Sequence, residues 1–184
     1  MPDDAALSFL LFDTPVGTCG LVWGAGGIVG AALPEGGDAA LRARLRRRFP
    51  AAREGAPTPA VQHAIERVRG LLGGARDDLA DIALDLSAVA PFERRVYAIA
   101  RAIPPGNTLT YGEVAARLGE PHAARAVGQA LGANPIPILV PCHRVLAAGG
   151  KSGGFSAPGG TRTKLRLLEI EGAPLGGSPG LFDV

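Results

Sequence analysis

Cysteine is nearly absent from this 184-residue sequence, where Cys19 and Cys142 are the only two. Two thiols so far apart exclude the disulfide framework that staples small secreted domains, and they leave at least one thiol free, as a reducing compartment allows. Histidine is scarce as well: His63, His122 and His143 complete the Cys/His supply, with no CxxC or HxxxH pair. A structural zinc site therefore has little to be built from, and no metal is expected. Long apolar runs are missing, which excludes a membrane-spanning helix. The opening MPDDAALSFLLF has acids where a secretory signal would place Lys or Arg. A cytoplasmic location, with no membrane partner, follows as the expectation.

Charge of one sign is also lacking, since the net value is only +2. Its distribution says more: residues 1–86 carry 9 basic and 11 acidic side chains, residues 87–184 carry 10 and 6. The C-terminal half is the better candidate to meet phosphates. With 47% apolar and 20% charged residues the composition is that of a globular chain, long enough for one domain or two small ones.

The first third alternates short apolar segments with turn residues. Leu7 to Phe12, a TPVG turn at Thr14 to Gly17, Leu21 to Trp23, a glycine-rich 24–27 and Ile28 to Leu33 predict an antiparallel meander. Asp38 is placed as the cap of a helix running to Phe49 and stopped by Pro50. Thr58-Pro59 opens a second helix to about Leu72. The basic run Arg42 to Arg48 invites a nucleic-acid reading, but Leu41, Leu45 and Phe49 recur every four residues, which favours the solvated face of an amphipathic helix. Alternating Ile82, Leu84 and Leu86 predict a closing strand over Asp81 to Leu86. A change of character at Ser87 to Pro91 sets a domain boundary there, giving an α/β domain at 1–86 and a mostly helical one at 87–184, an α+β chain overall.

In the second part, Phe92, Val96, Ile99 and Ile103 mark one face of a helix ended by Pro104-Pro105-Gly106. Thr110 with Glu113 forms a capping box, and Gly119 can end that helix in a left-handed conformation. A further helix covers about His122 to Leu131. Two short helices across a glycine-containing turn outline a helix-turn-helix, although the stretch alone fits an ordinary helical hairpin equally well. Ala123, Ala124, Ala126, Gly128 and Ala130 make the second helix slim, with Arg125 its only charge. A slim helix can enter a groove, where a lone Arg contacts phosphate or fills the space of an extruded base; it can also simply pack closely on a core.

The stretch NPIPILVPCHRV, Asn134 to Val145, carries the chemistry. An apolar run bracketed by Pro137 and Pro141 delivers Cys142 and His143 at its end, on what reads as an extended segment. A thiol near its ordinary pKa of ~8.5 is only a few per cent ionised at neutral pH and needs a base. Neighbours on an extended chain point to opposite faces, so a Cys142–His143 contact needs a bent backbone or a bridging water.

PCHRV, preceded by Asn134-Pro135 and by Arg125-Ala126-Val127-Gly128, resembles the O6-alkylguanine-DNA alkyltransferase family, the methylated-DNA–protein-cysteine methyltransferases. The likeness runs from about Phe92 to Gly172 and takes in Tyr111-Gly112, the Gly153-Gly154-Phe155-Ser156 loop and Lys164 followed by LLEIEG. It implies a ribonuclease H-like N-terminal domain and a winged helix-turn-helix-like C-terminal one. It implies irreversible, single-turnover transfer of an alkyl group from O6-alkylguanine in DNA to Cys142, with O4-alkylthymine left open as a second substrate. Double-stranded DNA containing alkylated guanine is the implied partner; no cofactor is required, and the protein acts as a monomer.

By the same resemblance Cys142 is activated through His143 and an acid. Glu171 is taken for that acid because it directly precedes Gly172, with Glu169 the competitor. Asn134 braces the turn holding the cysteine. Tyr111 offers its hydroxyl near guanine N3, and Pro137, Val145, Phe155 and Ser156 line the lesion pocket. Arg125, with Ala126 and Gly128 on its helix, fills the stack after the nucleotide rotates out. Phe155 stands where the family often has Tyr, so a hydroxyl is missing there, and the segment from Phe155 to Lys164 is slightly longer than in other members. Both departures touch the pocket and bear on substrate breadth. The rivals are a lesion-sensing relative that does not repair, which would lack Cys142, a thiol hydrolase using Cys142 and His143, and a helix-turn-helix regulator.

Overall fold

The structure is a computed structural model that describes residues 6–151, 153 and 159–174. Strands β1 (Ser8–Thr14), β2 (Gly17–Gly24) and β3 (Gly27–Ala32) form the expected meander, and β4 (Arg53–Glu54) adds to it in parallel beside β1. The sheet order is β3-β2-β1-β4. Pro15 and Val16 make the first turn, held by the Thr14 hydroxyl donating to Gly17 O at 2.6 Å. Gly17, at φ 121°, supplies a conformation that a side chain would oppose.

Period-two alternation divides the sheet's side chains between two faces. Phe9 and Val22 meet Leu41 and Leu45 of α1 (Asp38–Arg48), whereas Phe12, Leu21 and Trp23 meet Val61, Ile65 and Val68 of α2 (Pro59–Leu72). The basic side of α1 looks outward, with Arg42 paired to Glu54 and Arg44 to Glu35. That arrangement is the solvated face inferred from the leucine spacing. Cys19 is buried in the larger core, and burial pushes its thiol up to about 11, so it is inert.

Two local readings are corrected. Asp38 is the first helical residue rather than the cap; Gly37, at φ 95°, takes the cap position without a side-chain bond, leaving Asp38 to favour the helix through its charge. Residues 81–86 make only a single bridge, Ile28 to Leu84, and no strand. Asp77, Asp78 and Asp85 accept backbone N–H bonds two residues on and turn the chain on either side of that bridge, while Arg101 Nη2 donates to the carbonyls of Leu79, Ala80 and Ile82.

Beyond residue 87 the described elements are chiefly helices: α3 (Pro91–Arg101), α4 (Tyr111–Arg117), α5 (Ala124–Gly132) and α6 (Thr161–Ile170), with a two-stranded parallel pair of β5 (Leu109–Thr110) and β6 (Val145–Leu146). Both halves of the Thr110/Glu113 capping box form, and Gly119 is left-handed at φ 77°. Val96, Val127 and Val145 join the core that holds Phe12 and Trp23, so the two parts share apolar packing. Among the described residues no helix is long and apolar enough to cross a membrane.

The Thr58 hydroxyl accepts from Val61 N at the start of α2, with Pro59 following it. Thr58→Ala is expected to lower unfolding free energy by about 1 kcal/mol in urea titration, the usual worth of such a cap.

Candidate active site

The path to the nucleophile is set by one side chain. Asn134, buried, donates from Nδ2 to Val140 O at 2.9 Å and accepts from Ile136 N at 2.9 Å, closing the loop over the residues between. Val140 N returns to Ile136 O at 2.8 Å, and Pro137, half-buried, bridges to Val140. The tightness of this loop drives Ile138 to φ 75°, a conformation that costs a β-branched residue on the order of 1–3 kcal/mol and persists only where its surroundings over-determine it. The extended segment expected here is thus a coiled loop. Cys142 to Arg144 then form one 3-10 turn, with Arg144 N donating to Pro141 O. This is the bend that adjacent Cys and His side chains need to serve one site.

Cys142, His143, Arg144, Lys164 and Glu171 are all buried. Burial raises the Cys142 thiol above its ordinary value; contact with Asn134 and the nearby Lys164 charge pull the other way without reversing it. The resting group is a neutral thiol. Burial also lowers His143, against the opposing pull of Glu171, so the imidazole is neutral. Glu171 Oε1 lies 2.8 Å from His143 Nε2. Burial alone would raise Glu171, but hydrogen bonds from His143 and Arg144 bring it down to about 2. An ionised carboxylate only accepts, so Nε2 must carry the imidazole proton. Nδ1 is left with a lone pair; it is buried and has no protein hydrogen-bond partner among the described residues. The arrangement yields a neutral base with its free nitrogen in the interior, next in sequence to a protonated thiol.

Arg144 was not anticipated. It is fully buried and donates from Nε and Nη2 to both oxygens of Glu171, at 2.9 and 2.8 Å, and from Nη1 to Ile103 O at 2.7 Å. The fork fixes the carboxylate that His143 uses. The only available signal was its place in PCHRV, because nothing in spacing pairs it with an acid 27 residues on. Glu169, by contrast, is exposed and lies 3.9 Å from Arg166. Lys164 donates to Val145 O at 2.6 Å and sits 5.7 Å from the Tyr111 ring centre; burial presses its ammonium down to about 8.

Tyr111 begins α4, half-buried beside this cluster. Gly128 faces its ring, where an added Cβ would lie 3.9 Å from the ring edge. Gly153 is closer: it is left-handed at φ 68°, and a Cβ there would fall 2.7 Å from the Tyr111 hydroxyl. Arg125, in the first turn of α5 and exposed, makes no hydrogen bond or ion pair among the described residues; Ala126 beside it is half-buried. Val145 is buried in β6. Phe155 and Ser156 lie outside the described residues. Within the described residues no cluster of three or more His, Cys, Asp or Glu could hold a metal ion.

Because Glu171 is held below its unfolded value of 4.5, the stability it adds is fully present above about pH 4.5 and is lost as pH falls toward about 2. The lowered His143 acts in the same direction, opposing protonation as pH drops below 6.5. Arg144→Met leaves the buried carboxylate short of its counter-charge. It is expected to cost about 3 kcal/mol in urea unfolding at pH 7 and to flatten the acid limb of stability, followed by Trp23 fluorescence.

Residues 91–173 match the family model described as 6-O-methylguanine DNA methyltransferase, DNA binding domain. The methylated-DNA–protein-cysteine methyltransferase of Methanothermobacter thermautotrophicus is 36% identical over 163 residues, covering 89% of this chain and 84% of the relative. That of Mycolicibacterium paratuberculosis is 45% identical over 120 residues, 65% of this chain and 70% of its own. Among solved structures, Mycobacterium tuberculosis OGT in complex with DNA superposes with a TM-score of 0.73 at 34% identity, covering 91% of this chain and 95% of that one. The O6-methylguanine-DNA methyltransferase of Pyrococcus kodakaraensis gives 0.68 at 30% identity, over 91% and 99%. With a neutral thiol, an acid-held imidazole and this likeness along nearly the whole chain, the protein belongs to the methylated-DNA–protein-cysteine methyltransferase family.

Proposed function

We propose that this chain repairs DNA by direct reversal, taking the alkyl group from O6-alkylguanine onto Cys142 in one irreversible turnover. The observation that carries the reading is the buried Cys142 thiol followed by His143, whose Nε2 proton is tied to Glu171 and whose Nδ1 is free to accept. The thiol proton passes to Nδ1 through a water molecule, and the sulfur attacks the alkyl carbon in line with its bond to O6. An S–C bond forms as the C–O bond breaks, and the electron pair leaves with the guanine. Tyr111 donates its hydroxyl toward N3 of the departing base, and the proton that left sulfur ends on the repaired guanine. The carbon arrives on the substrate, so no cofactor enters the balance. A thioether has no leaving chemistry in this site, which ends the cycle.

A stacked, paired guanine cannot present its O6 substituent to a buried thiol, so the nucleotide must rotate out. Arg125 is read as the side chain that fills the stack. It is exposed, unpaired among the described residues and carried on a slim helix whose Gly128, one turn on, abuts Tyr111. Contacts to the duplex are largely to phosphate, so binding falls steeply with salt. The finer fold belongs to the same reading: a ribonuclease H-like domain at 1–86, which the order β3-β2-β1-β4 with parallel β4 supports, and a winged helix-turn-helix-like domain at 87–184, which α4, the Gly119 turn, α5 and the β5–β6 pair support.

On mixing with O6-methylguanine duplex, the intact protein mass is expected to rise by one methylene, mapped to Cys142, and Cys142→Ser should show no rise. An unshifted wild-type mass under reducing conditions would contradict alkyl transfer. Arg125→Ala should slow repair in duplex by on the order of a hundredfold, the factor that a few kcal/mol of extrusion free energy implies. Its reaction with free O6-benzylguanine should change little, and equal slowing of both would remove Arg125 from base extrusion.

A further inference from the structure

Residues 6–86 supply no group to the chemistry above, yet their sheet reaches the loop that carries it. β3 is an edge strand, and the Ala31 N–H on it donates to the carbonyl of Pro135 at 3.0 Å. Among the described residues this is the only backbone-to-backbone hydrogen bond joining residues 6–86 to residues 87–174, apart from the local one from Val89 N to Leu86 O at the junction. Pro135 stands between Asn134 and Ile136, whose mutual bond starts the path to Cys142. From there the sequence of bonds is short: Asn134 holds Val140 O, Val140 N holds Ile136 O, and Cys142 N holds Val140 O at 2.8 Å.

The loop also carries its own opposing force. Ile138 sits in a left-handed conformation that relaxes unless the loop ends are fixed. Asn134 ties the loop to itself, touches Cys142 and donates its N–H to Leu131 O at 3.2 Å in α5, but none of these bonds reaches the sheet. Pro135 has no N–H, so its carbonyl is the one backbone hydrogen-bonding group through which this residue can be gripped. The edge of the sheet provides that grip, and Ala31 and Ile136 lie in the same apolar core.

We propose that the Ala31 N–H is a positioning group for alkyl transfer: by holding the Pro135 carbonyl, the sheet edge fixes the Asn134–Val140 loop and the direction of the Cys142 sulfur. The inference rests on the alkyl-transfer reading. It gives residues 6–86 a definite task, acting on the rate of the chemical step and not on duplex binding. Displacement of a reacting group by even about 1 Å is enough to slow a reaction severely.

Ala31→Pro deletes this donor, and an edge strand accepts proline where the N–H faces away from its ladder. Ala31→Gly keeps the donor and removes the methyl group. Single-turnover methyl transfer from O6-methylguanine duplex, at saturating DNA, is compared with the duplex dissociation constant for both. Ala31→Pro is expected to lower the transfer rate constant roughly tenfold, the scale set by one lost hydrogen bond, with the dissociation constant held within about twofold; Ala31→Gly should transfer within about twofold of wild type. Should Ala31→Pro lose its far-ultraviolet circular dichroism, lactic acid incorporated at position 31 makes the same deletion as an amide-to-ester exchange without a ring. An unchanged transfer constant in the donor-deleted protein, a fall shared equally by Ala31→Gly, or a loss confined to duplex binding each overturns the proposal. A wild-type protein that transfers nothing strikes the alkyl-transfer reading itself, which separates the two failures.

Discussion

One carboxylate organises the interior of this protein. Glu171 takes three charged or polar hydrogen bonds, one from His143 and two from Arg144, and all three residues are withdrawn from water. A buried glutamate by itself would recover its proton, and a buried arginine by itself would carry a severe desolvation cost. Together they are stable, and the geometry of the guanidinium fork leaves one remaining approach to Oε1, which His143 takes. The imidazole tautomer follows from that, and with it the nitrogen left available as a base. Remove the carboxylate and the state of the histidine, the compensation of Arg144 and the end of α6 all lose their reference point.

Much of this was legible in the residues. Meander, capping box, left-handed Gly119 and the Thr58-Pro59 helix start are local events, each decided by a few neighbouring side chains, and sequence patterns record such events directly. The leucine spacing in α1 outweighed its arginines for the same reason. The strand expected over Asp81 to Leu86 is cut to one bridge because side-chain bonds claim the backbone around it: Asp78 and Asp85 turn the chain before and after it, and Arg101, remote in sequence on α3, grips Ile82 O. Alternation of apolar residues says which side faces inward, not which partner claims the backbone.

The site divides along the same line. Motif likeness points to Cys142, His143, Glu171 and Asn134 together, and the structure pairs His143 with Glu171 and sets Asn134 against Cys142. Arg144 was in view within PCHRV yet carried no role, since burial of a charged side chain is a property of the folded interior and leaves no trace in periodicity. The 3-10 turn at Cys142 was likewise invisible, because an apolar run between prolines reads as extended. The left-handed Ile138 that precedes the turn is imposed by Asn134, whose two bonds override the local preference of a β-branched residue.

The state of Cys19 has its own consequence. That thiol is sealed in the core, pushed up to about 11, and its hydrogen-bond partner is the Thr14 hydroxyl and not a base, so electrophiles in solution meet no second thiol poised as Cys142 is. Under the proposed chemistry each polypeptide then stores a single mark. The modified fraction of a population becomes a tally of lesions met, and synthesis of fresh chains sets how many more can be removed.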